Sequence, residues 1–455
     1  MTRDVTRREA LAALAAGSVG LSTRGFRESL GGSVSLQGQR PNVIFISADD
    51  LGYGDLSGYG RADYTTPVLD RLAAQGTRFT HAYSIAPICT PTRVGFMTGR
   101  YPARHPVGLK EPLVPADEQA GVGLPRSHPT VSSLLKASGY TNALFGKWHL
   151  GTRPEFQPDK HGFSEFFGPL GGAADYVSHT GMGGVHDLHE NGKAVRVDGY
   201  LTDLLMNRAV RFIAKRPEPF FLSLQGTAPH WPWQRRGDSP VPRGKRLSDD
   251  GPADRFPDMV RALDEGVGRV LRALDDARIA ARTIVIFTSD NGGERYSSMA
   301  GLAGHKGQCW EGGIRVPAFV RWPGTIPAGV TTAQVATTLD WMATILAAGR
   351  TPAAPTHPLD GEDLMPHLLT RAPRRDRTVF WRIQRTSQGA MRQGAWKYLR
   401  DGNRDLLFDL TLDPGERVDR TGTDAPRAAA MRASYAAWAS AMLPLPVARQ
   451  EDGPR

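Results

Sequence analysis

Pro41-Asn42-Val43-Ile44-Phe45-Ile46-Ser47, running on through Ala48 into Asp49-Asp50, is a short unbroken apolar stretch that stops on two carboxylates. Without polar alternation it has the pattern of a strand covered on both faces, as in a parallel sheet. Two adjacent acids at the C-terminal end of such a strand cost too much to bury unpaired, so they are metal ligands or solvated loop residues. The pattern returns at Thr283-Ile284-Val285-Ile286-Phe287-Thr288-Ser289, which ends in Asp290-Asn291-Gly292-Gly293. Two strands of this kind belong side by side in an α/β sheet whose ligands gather beyond the C-terminal strand ends. Asp49, Asp50, Asp290 and Asn291 offer three carboxylates and one amide oxygen with no soft ligand, which describes a hard cation: calcium, with magnesium the alternative.

Between these strands the elements alternate. Leu51-Gly52-Tyr53-Gly54-Asp55 suits a tight turn around an ion, and Thr66-Pro67 opens a helix that Gly76 ends. A helix over 131–136 closes at Gly139, and the strand Tyr140 to Phe145 delivers Gly146-Lys147-Trp148-His149-Leu150-Gly151. Residues two apart in an extended segment project to one side, so Lys147 and His149 can face a common ligand. The bland alternative is an exposed lysine beside a histidine satisfied by backbone. Leu201 to Ala214 reads as an amphipathic helix, and Phe220-Phe221-Leu222-Ser223-Leu224 as a further buried strand leading to Thr227-Ala228-Pro229-His230-Trp231-Pro232. Held between prolines, His230 is stiffly placed for proton transfer. Met259, Leu263, Val267, Val270 and Leu274 mark a long amphipathic helix, and helices are expected over 339–349 and 359–369. His179, His186 and His189 lie in a glycine-rich stretch that reads as a surface loop, and residues 232–256 as an exposed loop over the pocket. From Thr378 the pattern changes to short strands with turn signals, then a helix near 424–442.

One further stretch carries a nucleophile: Cys89-Thr90-Pro91-Thr92-Arg93, continued by Met97-Thr98-Gly99-Arg100. Pro91 fixes φ where a helix can begin, so Cys89 falls at or just before a helix N-terminus, where unpaired N–H groups favour negative charge. Arg93, one turn on, can reach back to the same point. Alone, the pattern equally describes a buried cysteine that begins a helix. With its Met-Thr-Gly-Arg tail, however, the stretch resembles the signature of the sulfatase family. Gly146 to Gly151 and the segment Gly304-His305-Lys306-Gly307-Gln308-Cys309-Trp310-Glu311-Gly312-Gly313-Ile314-Arg315-Val316-Pro317 resemble two more motifs of that family, as do Gly394 to Tyr398 and Asp413 to Glu416. The likeness runs from residue 41 to about 420 in consistent order, with Thr92 where serine is commoner and Met97 where leucine is commoner.

The resemblance implies an α/β fold of alkaline-phosphatase-like type: a large sandwich around a mostly parallel sheet over 41–375, and a smaller C-terminal α+β subdomain with an antiparallel sheet over 376–455. It implies that a formylglycine-generating enzyme oxidises Cys89 to an aldehyde whose hydrate joins Asp49, Asp50, Asp290 and Asn291 on the cation. Arg93, Lys147, Lys306 and His230 then stabilise charge, His230 or Lys306 protonates the leaving alcohol, and His149 is a candidate base. The implied substrate is a sulfate monoester, an aryl sulfate or a sulfated carbohydrate. Two other readings fit the same residues: a phosphodiesterase or phosphonate hydrolase on this scaffold, and a non-catalytic sulfoglycan-binding protein. His161, Cys309 and His305 receive no chemical role, the last two being read as packing residues.

Composition bounds the rest. The net charge of +10 suits an anionic partner, but only nine of the 56 basic residues are lysines and no basic run carries interleaved aromatics, which argues against nucleic acid. At the N-terminus Arg7-Arg8 precedes a small apolar run to Leu21 that is too short to span a bilayer. Residues 1–40 therefore read as a Tat-type signal and leader handed to the Tat export machinery, with a periplasmic or secreted destination and no stable membrane insertion. With two cysteines in all, conversion of Cys89 leaves Cys309 without a disulfide partner.

Overall fold

The structure is a computed structural model that describes residues 40–215, 218–249, 251–370 and 373–445; the expected export signal and leader fall outside the described residues, apart from Arg40. The opening run is strand β1 (Asn42–Ala48), buried at every position. Strands β2 (Thr77–Tyr83), β3 (Thr141–Gly146), β4 (Glu165–Gly168), β5 (His189–Glu190), β6 (Lys193–Ala194) and β7 (Phe220–Gln225) follow. The large sheet is completed by β8 (Thr283–Ser289), β9 (Arg315–Arg321), β10 (Val330–Thr332) and β11 (Ala336–Thr337). Its order is β10-β2-β9-β8-β1-β7-β3-β4-β5-β6, with β11 on β2. Around β1 the pairing is parallel, to β7 on one side and β8 on the other, and β3 lies parallel to β7. The antiparallel strand β9 separates this block from β2.

Both faces of the sheet are covered, which is why the strands lack alternation. Ile44, Ile46 and Ala48 pack with α5 (Leu201–Lys215) and α6 (Arg255–Asp276). Val43 and Phe45 face the other way, against α2 (Cys89–Thr98), α4 (Val131–Ala137) and α8 (Thr338–Ala348). Each fully buried side chain of this size contributes about 1.5–3 kcal/mol, so a shift of one residue along a strand would be opposed from both sides. The remaining helices before the second sheet are α1 (Pro67–Ala74), which packs on the α5 and α6 side, α3 (Pro115–Gln119), α7 (Glu311–Ile314) and α9 (Met365–Thr370). The helix expected over 359–369 is thus shorter. Asp360 is drawn away to bind Arg104 and the Tyr101 N–H, and Gly361 lies so close to the Leu339 carbonyl that an added Cβ would sit 2.2 Å from it. Among the described residues no helix is long and apolar enough to cross a membrane.

A second sheet, β12 (Thr378–Ile383), β13 (Gln388–Gln393), β14 (Trp396–Asp401) and β15 (Arg404–Asp409), is an antiparallel meander. One face joins Met431 and Tyr435 of helix α10 (Ala425–Ser440). The other face, with Val379, Trp381, Leu399 and Phe408, packs in one cluster with Cys89 and Cys309.

Candidate active site

The four adjacent parallel strands β8, β1, β7 and β3 all point their C-terminal ends the same way, and each delivers a polar segment there. Asp49 and Asp50 follow β1, Asp290 and Asn291 follow β8, Thr227 to His230 follow β7, and Lys147 to His149 follow β3. Backbone bonds lock the first two loops together: Asp290 N–H donates to Ala48 O at 3.1 Å, and Asp50 N–H donates to Asp290 Oδ1 at 3.2 Å. Asp50 holds φ at +64°, in the left-handed region that few non-glycine residues adopt. Asp49, Asp50, Asp290, Asn291, Lys147, His149, His230 and Arg93 are all buried.

Charges pair across this floor. Lys147 Nζ donates to Asp49 Oδ2 at 2.7 Å and Lys306 Nζ to Asp50 Oδ2 at 2.6 Å. Arg93, on the first turn of α2, donates to Asp290 Oδ2 at 3.0 Å, to Lys147 O at 2.9 Å and to Gln225 Oε1 at 3.1 Å. Its guanidinium is therefore engaged in fixing carboxylate and loop as well as supplying charge. Burial works against ionisation of Asp50, but Lys306, His230 and Lys147 hold its carboxyl well below the usual range. Asp290 goes the other way: burial and then the Asp49 charge push it up to about 7. Burial opposes the charge on Lys306, but Asp50 more than compensates and raises it.

Among the described residues two acceptors at the centre have no hydrogen-bond partner: Asp49 Oδ1 and Asn291 Oδ1 are buried and unsatisfied, although Asn291 Nδ2 donates to Asp50 Oδ1 at 2.8 Å. An unsatisfied buried acceptor costs about 1–3 kcal/mol, and two beside further carboxylates fit a cation bound through oxygen. His230 adds to this group: one ligand atom each from Asp49, Asp50 and His230 lies within 4.8 Å of the others.

Cys89 is the first residue of α2 and is buried; burial raises its thiol pKa, while Lys147 and Lys306 act in the opposite sense. His230 Nδ1 lies 2.7 Å from Trp231 O, so that nitrogen carries the hydrogen and donates it. Burial, followed by the Lys306 charge, lowers His230 to about 3 and keeps it neutral. His149 departs from the extended geometry expected of it: β3 ends at Gly146, and His149 takes φ +56°. Its Nε2–H donates to Leu113 O at 2.9 Å, which leaves a buried Nδ1 with no partner. Burial and the neighbouring Lys147 lower its pKa.

Several expectations need correction. The Gly52 to Asp55 turn closes around a side chain and not an ion, because Asp55 accepts from Gly52 N–H and Ser298 N–H at 2.7 Å each. His179 is buried, with Nε2 3.0 Å from Gly199 O, and so does not belong to a surface loop. The stretch is exposed at residues 182–185, as expected of a surface loop, and folds inward before it, where a Cβ on Gly172 would lie 2.7 Å from the His149 ring. Cys309 is buried as a packing residue, but His305 is exposed beside Lys306. Sequence reasoning passed over Gln225, a polar residue closing an apolar strand, and Glu294, whose Oε2 lies 3.7 Å from Lys306 Nζ. It also passed over Tyr176, whose single O–H is shared between Thr227 O at 2.6 Å and His230 O at 3.0 Å and braces the loop carrying His230.

Comparison with known proteins agrees with this geometry. A sequence profile described as Sulfatase matches residues 41–350. Human (Homo sapiens) N-acetylgalactosamine-6-sulfatase is 34% identical over 433 residues, covering 83% of this chain and 81% of its own. Human arylsulfatase A is also 34% identical, over 443 residues, covering 84% of this chain and 83% of its own. Among solved structures, the crystal structure of Ps i-CgsB superposes with a TM-score of 0.80 at 32% identity, covering 88% of this chain and 93% of that one. The chain belongs to the sulfatase family and is an enzyme that hydrolyses sulfate esters.

Proposed function

We propose that the chain cleaves a sulfate monoester, an aryl sulfate or a sulfated carbohydrate, through the hydrate of a formylglycine at position 89, with one calcium ion, or magnesium in its place. The observation that carries this reading is the pair of buried, unpartnered oxygens Asp49 Oδ1 and Asn291 Oδ1 next to Asp50 and Asp290. These four residues and the modified residue 89 would hold the ion, whose charge lowers the pKa of a hydroxyl and polarises sulfate oxygens when it is bound. The aldehyde hydrate offers one hydroxyl to attack sulfur and a second through which sulfate is released, a pair that neither serine nor the parent thiol provides.

The chain's own groups divide the remaining work. Lys147 and Lys306 supply ammonium charge against the sulfate oxygens, and Arg93 anchors Asp290 and the Lys147 backbone so that this charge is preorganised. Lys306 is the proton donor we assign to the leaving alcohol. Asp50 keeps it charged, whereas His230 is neutral and acts as a hydrogen-bonding partner. His149, with an unpartnered Nδ1 and a lowered pKa, is the base for release of sulfate. The equal identity to an N-acetylgalactosamine-6-sulfatase and to arylsulfatase A keeps both substrate classes in view. From Arg7-Arg8 and the apolar run behind it we infer Tat export to the periplasm or beyond, after a formylglycine-generating enzyme has acted in the cytoplasm.

The test is mass spectrometry across residue 89 of protein made together with a formylglycine-generating enzyme, with hydrolysis of matched aryl sulfate and aryl phosphate esters, with and without calcium. A formylglycine mass and calcium-dependent sulfate release, both lost in Cys89→Ala, are expected. Full conversion without sulfate release, or preference for the phosphate ester, would overturn the reading.

A further inference from the structure

Three charged residues to which the site chemistry assigns no role, each from a different one of the family-like motifs, meet behind it. Lys397 of β14 places its Nζ 3.1 Å from Glu311 Oε1 and 2.8 Å from Glu416 Oε1, and all three side chains are fully buried. Glu416 Oε2 also accepts the Glu311 N–H at 2.6 Å, and Tyr83 OH donates to Glu311 Oε2 at 2.8 Å. Burial opposes the charge on Glu311, but Lys397, Arg315 and Arg392 outweigh it and hold the carboxyl low, at about 2. Two more bonds come from the same sheet: Cys309 N–H donates to Gln388 Oε1 at 2.8 Å, and Thr386 Oγ1 donates to Gly307 O at 3.1 Å.

The contacts to Glu311, Cys309 and Gly307 all end on one short segment, 304–313, which carries Lys306. The segment is folded tightly on itself: a Cβ on Gly313 would lie 2.0 Å from Gln308 O, and one on Gly312 would lie 2.4 Å from Gly304 O. Such close backbone contacts leave the segment little room to deform internally. On its other side it touches the active site three times. Lys306 N–H donates to Gly293 O at 2.9 Å, Gly307 N–H to Pro87 O at 2.7 Å, and Gly292 N–H to Gly313 O at 2.9 Å. Those partners flank Asn291 and Cys89.

We propose that the C-terminal four-stranded sheet is the platform that positions Lys306, with Lys397, Glu416, Gln388 and Thr386 as positioning residues that act through the 304–313 segment. The sheet does pack apolar side chains against this segment, at Cys309 and Trp310. Beside that contact it presents a buried charged cluster and two side-chain hydrogen-bonding groups, Gln388 Oε1 as acceptor and Thr386 Oγ1 as donor, directed at the segment next to the reacting centre. The inference rests on the sulfatase reading above and on Lys306 acting within it.

The experiment introduces Glu416→Gln and, separately, Thr386→Val into the calcium-loaded, formylglycine-bearing enzyme, with and without Lys306→Ala, and measures kcat and KM on an aryl sulfate. Where turnover in the Lys306→Ala background is too slow to follow, inhibition by inorganic sulfate is read instead. Expected is a fall in kcat/KM of roughly fivefold to tenfold where Lys306 is present and less than about twofold where it is absent, because coupled residues are not additive. Equal factors in both backgrounds would overturn the proposal and leave the sheet a purely structural element. If Glu416→Gln fails to fold, Thr386→Val, a partly buried hairpin-turn residue, decides alone. Lys306→Ala with the full activity of the parent would refute the role given to Lys306, a result distinct from equal factors.

Discussion

Replacing Asp290 by asparagine isolates the electrostatic cost of assembling this site. In the metal-free protein, burial and the Asp49 charge push Asp290 up to about 7 from an ordinary 3.8. The native state therefore keeps a proton that the unfolded chain has already lost. Stability from this group is complete below pH 3.8 and is lost as pH rises through about 7. At about 1.4 kcal/mol per pH unit the loss is on the order of 4 kcal/mol. Asparagine cannot ionise, but it faces both the Asp50 N–H and Arg93 with only one acceptor oxygen, a fixed cost of about 1–3 kcal/mol. The variant should thus be less stable than the parent near pH 4 and equal or more stable near pH 8. The quantity to read is the change in that difference, because buried and half-buried histidines slope the other way. His81, His105 and His230, lowered to about 3, and His161, lowered to about 4, favour the native state as pH rises toward 6.5 in both proteins. Equilibrium unfolding of chelator-treated parent and variant across pH 4 to 8, followed by tryptophan fluorescence, measures it. A difference that stays constant with pH refutes the reasoning, and saturating calcium should flatten the parent's share of it.

Gly146→Ala should fail to give soluble protein, since φ is +122° and the new Cβ would lie 1.7 Å from Gln225 O; recovery of folded, active enzyme by circular dichroism would contradict this. Gln225→Leu leaves Arg93 without one acceptor and should reduce stability by about 1–3 kcal/mol in denaturant titration. Asn291→Leu removes an unpartnered oxygen and the amide that steadies Asp50, and should weaken calcium binding at least tenfold by isothermal titration, roughly 1.4 kcal/mol. An unchanged affinity would place Asn291 outside the cation site.

Much was legible because strand chemistry is local. An unbroken apolar run means cover on both faces, and its last polar residues must sit at the strand end; Asp49, Asp50, Asp290 and Asn291 follow from that argument alone. Helix starts at Thr66-Pro67 and at Cys89 were equally readable from capping and proline chemistry. The Lys147 and His149 pair was found for a reason that does not hold in space. Period-two projection assumes an extended chain, and the chain instead turns through φ +56° at His149. Asp55 misled in a similar way, since nothing local distinguishes a carboxylate that binds an ion from one that accepts four protein donors.

The sequence by itself thus determined the α/β strand pattern, the acids at the strand ends and the position of Cys89 at a helix start, each of which depends on a few consecutive residues. Only the tertiary structure decided how the charges are shared. Lys306 meets Asp50 across 256 residues, Arg93 meets Asp290 across 197, and Lys397 is neutralised by Glu311 across 86. Coulombic and hydrogen-bond energies depend on distance in space and on burial, and neither is encoded at any one point along the chain.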